Sequence, residues 1–133
     1  MRIVLDSNVL VSALLGQGGP RRLLLSLSRE HIIVSSVQML AELEDVLHRE
    51  KFQLTNSQIS DYLSLIIAGS TVLDVADYPE VIKADPDDDV ILASALERKA
   101  DYLVTGDKHL LSLREYQKTK ILTVKQMLSL IEK

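Results

Sequence analysis

The sequence predicts a single α/β domain, a three-layer α/β/α sandwich around a central parallel sheet of four to five strands. Short runs rich in Ile and Val recur along the 133 residues, and stretches with helical periodicity separate them. No repeat or linker interrupts this alternation, so residues 1–133 are expected to form one domain. The chain has no cysteine, which excludes disulfides, cysteine-bound zinc and thiol nucleophiles.

The expected strands follow in order along the chain: residues 2–5, 31–35, 71–75, 102–105 and 120–123. The expected helices lie near residues 20–29, 37–50, 57–68, 86–99 and 124–132, with a short turn near 108–113. Alternation of this kind implies right-handed crossovers and parallel strands. In such sheets, functional residues collect beyond the carboxyl ends of the strands, at the point where the strand order reverses.

Charge and hydropathy limit the classes of partner and the cellular locations to be expected for this chain. Lys and Arg number 15 against 19 Asp and Glu, a net charge of −4, so the average surface gives no sign of nucleic-acid binding. No apolar run approaches the ~18–20 residues of a membrane span. The carboxylate of Asp6 comes too early for a signal peptide. We therefore expect a soluble, cytoplasmic protein with no membrane association.

Polar residues follow two of the predicted strands. Asp6 and Asn8 come directly after the first strand, and Thr105 and Asp107 come after the fourth. Gly106 is expected to allow a tight turn between the last two. A carboxylate at the end of a buried strand needs a cationic partner to offset its desolvation. The alternative explanations are that Asp6 caps the following turn and that Asp107 is a surface residue in a turn.

A cluster of acids at residues 85–89 opens the predicted helix near 86–99. Helix-start chemistry is one explanation, because an aspartate before Pro86 is a typical cap and acids favour the positive end of the helix dipole. A helical wheel places Asp88 in the middle of the inward-facing apolar side, with Asp89 at its margin. The apolar residues of that side are Ile91, Leu92, Ala95 and Leu96. We therefore predict a functional role for Asp88.

The helix predicted at 37–50 has a glutamate on each border of its apolar face. These are Glu42 and Glu44, and the helical wheel does not choose between them. Either reaches toward a site at the edge of the sheet, or both are solvated residues at the flank of the helix.

Asp6, a helix glutamate, Asp88 and Asp107 together would form an all-oxygen site, which suits Mg²⁺ or Mn²⁺ better than Zn²⁺. Without a cation, their mutual repulsion would raise their pKa values. One cation, or a pair about 4 Å apart, lowers the pKa of a bound water and neutralises charge on a phosphodiester. This chemistry predicts hydrolysis to a 5′-phosphate and a 3′-hydroxyl.

Four ordered segments resemble the PIN-domain family, and more narrowly its branch of toxin components of bacterial and archaeal toxin–antitoxin systems. The segments are Asp6-Ser7-Asn8 with residues 9–15, Glu42-Leu43 with Val46-Leu47 and Lys51-Phe52, Asp85-Pro86-x-Asp88, and residues 100–111. The resemblance runs from residue 1 to about residue 125. It implies a PIN-like fold and a Mg²⁺- or Mn²⁺-dependent ribonuclease with Asp6, Glu42, Asp88 and Asp107 as its acidic quartet.

The resemblance also implies roles for neighbouring residues and partners. It selects Glu42 over Glu44, and it makes Asn8 and Thr105 polar neighbours that orient ligands or water. Asp89 stands where an amide is common, and it either joins a second metal or belongs to the helix start. Members of this branch commonly form homodimers and are held inactive by a small antitoxin protein, so both partners are expected.

Several cations are candidate RNA contacts around a cleft above the strand ends. They are Arg21, Arg22 and Lys108, with Arg49, Lys51 and His109 as further candidates. Scattered, solvated surface charges explain each of them equally well.

Three other functions remain open on the sequence alone. An aspartate-based phosphatase would require a second acid two residues after Asp6, where Asn8 stands. A phosphotransfer receiver would require a lysine at the end of a late strand, whereas Lys120 stands at the start of the last predicted strand. A non-catalytic metal-binding interaction domain is the third possibility.

Overall fold

The computed structural model describes residues 1–74, 91–92, 94–95 and 99–132. The strands are β1 (Arg2–Leu5), β2 (Ile32–Ser36), β3 (Ser70–Leu73), β4 (Tyr102–Val104), β5 (Glu115–Tyr116) and β6 (Thr119–Leu122). They form one sheet in the order β3-β2-β1-β4-β6-β5. All neighbours are parallel except β5, which pairs antiparallel with β6.

Helices flank the sheet. They are α1 (Ser7–Leu15), α2 (Gly19–Glu30), α3 (Val37–Leu47), α4 (Asn56–Ala68), α5 (Lys108–Leu113) and α6 (Val124–Ile131), with a 3₁₀ turn at Glu50–Phe52. Residues 91, 92, 94 and 95 are helical as well. This arrangement confirms the predicted α/β fold with its central, mostly parallel sheet. In the described part of the chain, no helix is long and apolar enough to cross a membrane.

Two hydrophobic cores lie on opposite faces of the sheet, because neighbouring side chains of a strand point to opposite faces. In β1, Ile3 and Leu5 pack in the core that helices α1 to α4 and α6 cover. Val4 packs in the other core, with Ile91, Leu92 and α5. Three layers therefore result, as the sequence predicts.

Helix α1 was absent from the elements that the sequence predicts. Its residues Val9, Leu10, Val11 and Ala13 are all buried, and so is Ser7 before them. A helix packed on several sides shows no clear polar face, and a β-branched apolar run has no helical periodicity to detect. Tertiary packing, and not a periodic sequence pattern, therefore accounts for the helical conformation of α1.

Three smaller differences have local causes. Helix α3 ends at Leu47 and not near residue 50, because the backbone becomes extended at Arg49, where φ is −64° and ψ is 135°. Residues 108–113, expected as a turn, form helix α5, which Asp107 caps. The strand that was not among the five expected, β5, has only two residues, too few to give a periodic pattern. Lys120 lies within β6.

The strand order reverses between β1 and β4. The chain passes from β1 to β2 and β3 on one side, whereas β4 lies on the other side of β1. Both strands run in the same direction, with Leu5 paired to Val104. The residues that follow β1 and β4 therefore emerge side by side at one edge of the sheet, where parallel α/β sheets place their binding sites.

Tyr62 ties α4 to α1, and its hydroxyl donates a hydrogen bond of 2.5 Å to the carbonyl oxygen of Leu10. Burial raises the pKa of Tyr62 from 10.0 to about 12. We expect Tyr62→Phe to lower the free energy of unfolding by about 1 kcal/mol at neutral pH.

The raised pKa of Tyr62 also sets an alkaline pH dependence. The stabilisation is full below pH 10, the titration range of the unfolded chain, and is lost as the pH rises toward about 12. Urea unfolding at several pH values should therefore show a steeper loss for the wild type than for Tyr62→Phe, with Tyr116→Phe on β5 as control. Equal losses in all three proteins would contradict this interpretation.

Candidate active site

Asp6 lies directly beyond β1 and is almost entirely buried, with 5% of its surface exposed. Its backbone N–H donates to the carbonyl oxygen of Val104 at 3.0 Å, which holds it against β4. It is also the N-cap of α1, and its Oδ1 accepts from the N–H of Asn8 at 3.4 Å. The capping role that the sequence left open for Asp6 is therefore real.

Thr105 joins the two acid-bearing turns. Its buried hydroxyl donates to Oδ2 of Asp6 at 2.7 Å and accepts from the backbone N–H of Asp107 at 3.0 Å. One oxygen therefore orients the Asp6 carboxylate and positions the backbone that carries Asp107. The structure brings Asp6, Thr105 and Asp107 together, as the sequence predicts from the ends of two strands.

Asp107 is half-buried, with 27% of its side chain exposed, and it caps α5. Its Oδ1 accepts from the N–H groups of His109 and Leu110, at 2.7 and 3.3 Å. Within the described residues, its Oδ2 makes no hydrogen bond. Asp107 therefore combines a capping role with one carboxylate oxygen available to a ligand.

Burial and the neighbouring charge of Asp107 both act on the carboxylate of Asp6. The pKa of Asp6 is raised, first because burial disfavours the charged form and further because the charge of Asp107 is close. Hydrogen bonds from Thr105 and Asn8 act in the opposite direction and only partly compensate. The site therefore resists ionisation of Asp6 unless a cation approaches it.

Glu42 lies on α3, which begins at the carboxyl end of β2 with Ser36 as its N-cap. The hydroxyl of Ser7, the residue after Asp6, donates to the carbonyl oxygen of Met39 at 3.4 Å. Glu42 is half-buried, three residues beyond this contact, whereas Glu44 is exposed. The helical wheel left these two glutamates equivalent, but their burial distinguishes them.

Asp88 and Asp89 lie outside the described residues. Of the four apolar residues that the helical wheel placed on the same side as Asp88, Leu96 also lies outside the described residues, and Ile91, Leu92 and Ala95 are buried. In the ranges that the structure describes, no group of three His, Asp or Glu side chains comes together as a metal site. The described part of the predicted quartet is thus the pair Asp6 and Asp107, with Glu42 on a neighbouring helix.

The groups present suit a hard divalent cation. Two carboxylates from different strands and a hydroxyl supply only oxygen, the ligand type that Mg²⁺ and Mn²⁺ prefer. The raised pKa of Asp6 adds a second reason, because a cation would stabilise the ionised form that burial penalises.

The candidate RNA contacts divide into two places. Arg21 donates from Nε to the carbonyl oxygen of Ala13 and from Nη2 to that of Leu14, at 2.8 and 2.6 Å. These carbonyls lie in the last turn of α1, about 10–12 Å along the helix axis from Asp6. Arg22 pairs with Glu132 at 2.9 Å. Both arginines therefore have partners away from the carboxylates.

Lys108 and His109, by contrast, lie beside the acids. They line a cleft of about 500 Å³ together with Asn8, Gly106 and Asp107. The ring of His109 approaches Asp107, with Nδ1 3.7 Å from Oδ1.

Two residues at the site differ from what the sequence indicated. No glycine of the described chain has a positive φ, so Gly106 does not use the left-handed conformations that the expected tight turn would draw on. Ser7, which the sequence analysis did not single out, is buried and joins α1 to α3. The only signal for Ser7 was a small hydroxyl residue directly after Asp6.

A family model described as a PIN domain matches residues 2–109. The chain belongs to the PIN domain family. PIN domains are generally nucleases, and they generally depend on a divalent metal. The match spans Asp6, Glu42, Asp88 and Asp107, which confirms the resemblance drawn from the sequence motifs.

The fold of this PIN domain is similar to that of a solved structure described as VapBC2 from Rickettsia felis bound to a DNA fragment from their promoter. The TM-score is 0.67 and the sequence identity 19%, and the alignment covers 92% of this chain and 98% of the other. At that identity the likeness establishes the fold. No curated protein matches the chain.

Thr105 allows a test of how this PIN domain positions its acids. Thr105→Val keeps the shape but removes the donor to Asp6 and the acceptor for the N–H of Asp107. We expect a loss of about 1–3 kcal/mol in the free energy of unfolding and roughly a 10–100-fold loss of nuclease activity, as for other residues that orient metal ligands.

The matched control for Thr105→Val is Thr119→Val. Thr119 is also buried, and its hydroxyl donates to the carbonyl oxygen of Ala100 at 2.7 Å, at the amino end of β6. Thr119→Val should lower stability comparably with full activity. If both variants lost activity in proportion to stability, Thr105 would have no positioning role.

Proposed function

We propose that this PIN domain is a Mg²⁺- or Mn²⁺-dependent endoribonuclease and the toxin component of a toxin–antitoxin pair. The observation that carries the proposal is the buried link from Asp6 through the Thr105 hydroxyl to Asp107, at the point where the strand order reverses. Membership of the PIN domain family supports nuclease chemistry at this link.

In this proposal, Asp6, Asp88 and Asp107 hold the metal, and Glu42 binds it or positions the attacking water. A bound divalent ion supplies charge neutralisation at the phosphate and a lower pKa for a bound water. Ile91, Leu92 and Ala95 are buried, in agreement with the inward-facing side that the helical wheel predicts. The role of Asp88 is inferred from its position on that same side.

The chain's own groups prepare the reaction. Thr105 holds the Asp6 carboxylate in one orientation, and Asn8, exposed at the rim of the cleft, orients ligands or water. Asp89 either joins a second ion or belongs to the helix start. The oxygen of water attacks phosphorus, and the bond from phosphorus to the 3′-oxygen breaks. The products carry a 5′-phosphate and a 3′-hydroxyl.

The toxin assignment includes a cognate antitoxin protein, a homodimer and a cytoplasmic location. The antitoxin partner is supported by the fold shared with a chain of the VapBC2 structure, which the alignment covers almost completely. A small DNA-binding protein encoded in the adjacent reading frame would support it further.

Cleavage assays test the activity directly. Labelled RNA, labelled DNA and a generic phosphatase substrate are each incubated with the protein in Mg²⁺, in Mn²⁺ and in chelator. Internal cleavage of RNA that chelator stops is the expected result. Turnover of the phosphatase substrate with intact RNA would instead indicate phosphotransfer chemistry. Metal binding without any turnover would indicate a non-catalytic domain.

A further inference from the structure

The cleft beside Asp107 has features that capping and metal binding leave unexplained. Its lining is Asn8, Gly106, Asp107, Lys108 and His109, and its volume of about 500 Å³ falls in the range of ligand pockets. Only Asp107 of these five belongs to the proposed metal-holding set. The inference drawn from this cleft rests on the proposed nuclease function and concerns how the site receives its substrate.

Gly106 lies between Thr105 and Asp107, and nothing inside the described protein accounts for a glycine there. Its φ is not positive, and a Cβ built on its backbone meets no atom within 4 Å. Neither the backbone conformation nor packing against the described residues excludes a side chain there. The missing side chain keeps open the space directly above the backbone that joins the two site residues.

Lys108 supplies a positive charge at the same place. Its side chain is exposed, and in the described part of the chain no carboxylate pairs with it. The nearby amides of His109 and Leu110 already donate to Asp107, so the backbone does not serve as the anion donor there. Lys108 is therefore the residue with a permanent positive charge among the described residues that line this cleft.

We propose that Gly106 is the floor of a subsite for the RNA sugar–phosphate backbone, and that Lys108 binds a phosphate beside the acids. Because Gly106 has no side chain, the RNA strand can lie against residues 105–107, close enough for an adjoining phosphodiester to reach Asp6 and Asp107. Close approach of a backbone to a ligand is a recurrent reason for glycine.

Binding of a labelled single-stranded RNA, measured without metal in the Asp6→Asn background, tests the subsite apart from catalysis. Gly106→Ala should weaken RNA binding about tenfold, which corresponds to about 1.4 kcal/mol of binding free energy, and Gly106→Val should weaken it further. The matched control is Gly18→Ala, because Gly18 also has no neighbour within 4 Å and no positive φ but lies outside the cleft. Melting temperatures of all variants establish that they are folded.

The charge is tested by Lys108→Ala, which should weaken binding and reduce the salt dependence by about 0.7 in log–log slope, the value for one phosphate contact on a single strand. Lys118→Ala, in the turn between β5 and β6, is the control at the opposite edge of the sheet and should change neither quantity.

The outcomes separate the subsite from the function. If the wild type cleaves RNA but folded Gly106→Ala binds and cleaves as well as the wild type, the subsite is wrong and the nuclease proposal stands. If Gly106→Ala and Gly18→Ala weaken binding equally, the subsite is also wrong. If the wild type neither binds nor cleaves RNA, both proposals are wrong.

Discussion

Asp6→Asn is expected to abolish RNA cleavage while the domain stays folded. The substitution keeps the shape of the side chain and a carbonyl oxygen that accepts from Thr105, but it removes the charge that would hold a divalent ion. Loss of several kcal/mol of transition-state stabilisation corresponds to a fall of at least about 100-fold in kcat/KM. This fall in kcat/KM is measured from the cleavage of labelled RNA in Mn²⁺, with wild type and variant at equal concentration.

The same substitution should leave stability in chelator equal to that of the wild type or higher. Burial raises the pKa of Asp6, so its ionised form is disfavoured in the folded state. The folded wild type therefore loses stability as the pH rises through this raised pKa, and the neutral asparagine does not. Below the pKa of the unfolded chain both side chains are neutral, and the difference in stability should disappear.

Asp61→Asn is the matched control, because Asp61 is exposed on α4, remote from the strand ends. It removes the same charge and should leave cleavage unchanged. An Asp6→Asn protein that is folded and cleaves RNA at the wild-type rate would remove Asp6 from the mechanism.

Addition of Mn²⁺ or Mg²⁺ at neutral pH is expected to raise the melting temperature of the wild type. An ion that binds only the folded state at 100 times its Kd adds about 2.7 kcal/mol, which for a chain of this size corresponds to a shift on the order of 10 °C. Asp6→Asn and Asp107→Asn should each lose most of the shift in melting temperature, because each removes one of the two carboxylates that are proposed to hold the ion.

Scanning calorimetry in chelator, in Mn²⁺ and in potassium chloride of matched ionic strength separates specific binding from screening. Asp61→Asn should keep the full shift. If both site variants keep it too, the ion binds elsewhere and the carboxylate pair is not its site.

Much of the fold was predictable because burial leaves a pattern in the sequence: buried parallel strands are short runs of Ile and Val, and helices packed on one face are periodic. The strand expected at residues 2–5 has the bounds of β1, and the other four expected strands agree with observed ones to within one or two residues over the described chain. Helix α1 was not predictable in this way, because it is buried on several sides and lacks a polar face. Tertiary packing, which is not local to residues 7–15, stabilises it.

The candidate site, too, was predictable from the sequence only in part. Asp6 and Asp107 were predictable because polar residues directly after buried strands require a reason. Their connection through one hydroxyl of Thr105 depends on the pairing of β1 with β4, a contact between residues 99 positions apart. The difference in burial between Glu42 and Glu44 depends on what packs against α3, and a wheel drawn for one helix does not contain that information. The vacant position above Gly106 was likewise invisible in a sequence, where a glycine first indicates a turn.

The proposed function requires that separate strands and helices deliver carboxylates to one shared metal site. A crystal structure of the protein soaked with Mn²⁺, with the ion located by its anomalous scattering, shows whether they do. We expect an ion within about 2.0–2.3 Å of carboxylate oxygens of both Asp6 and Asp107, typical of a small hard cation bound by oxygen. An ion bound elsewhere on the chain, with Asp6 and Asp107 unligated, would contradict it.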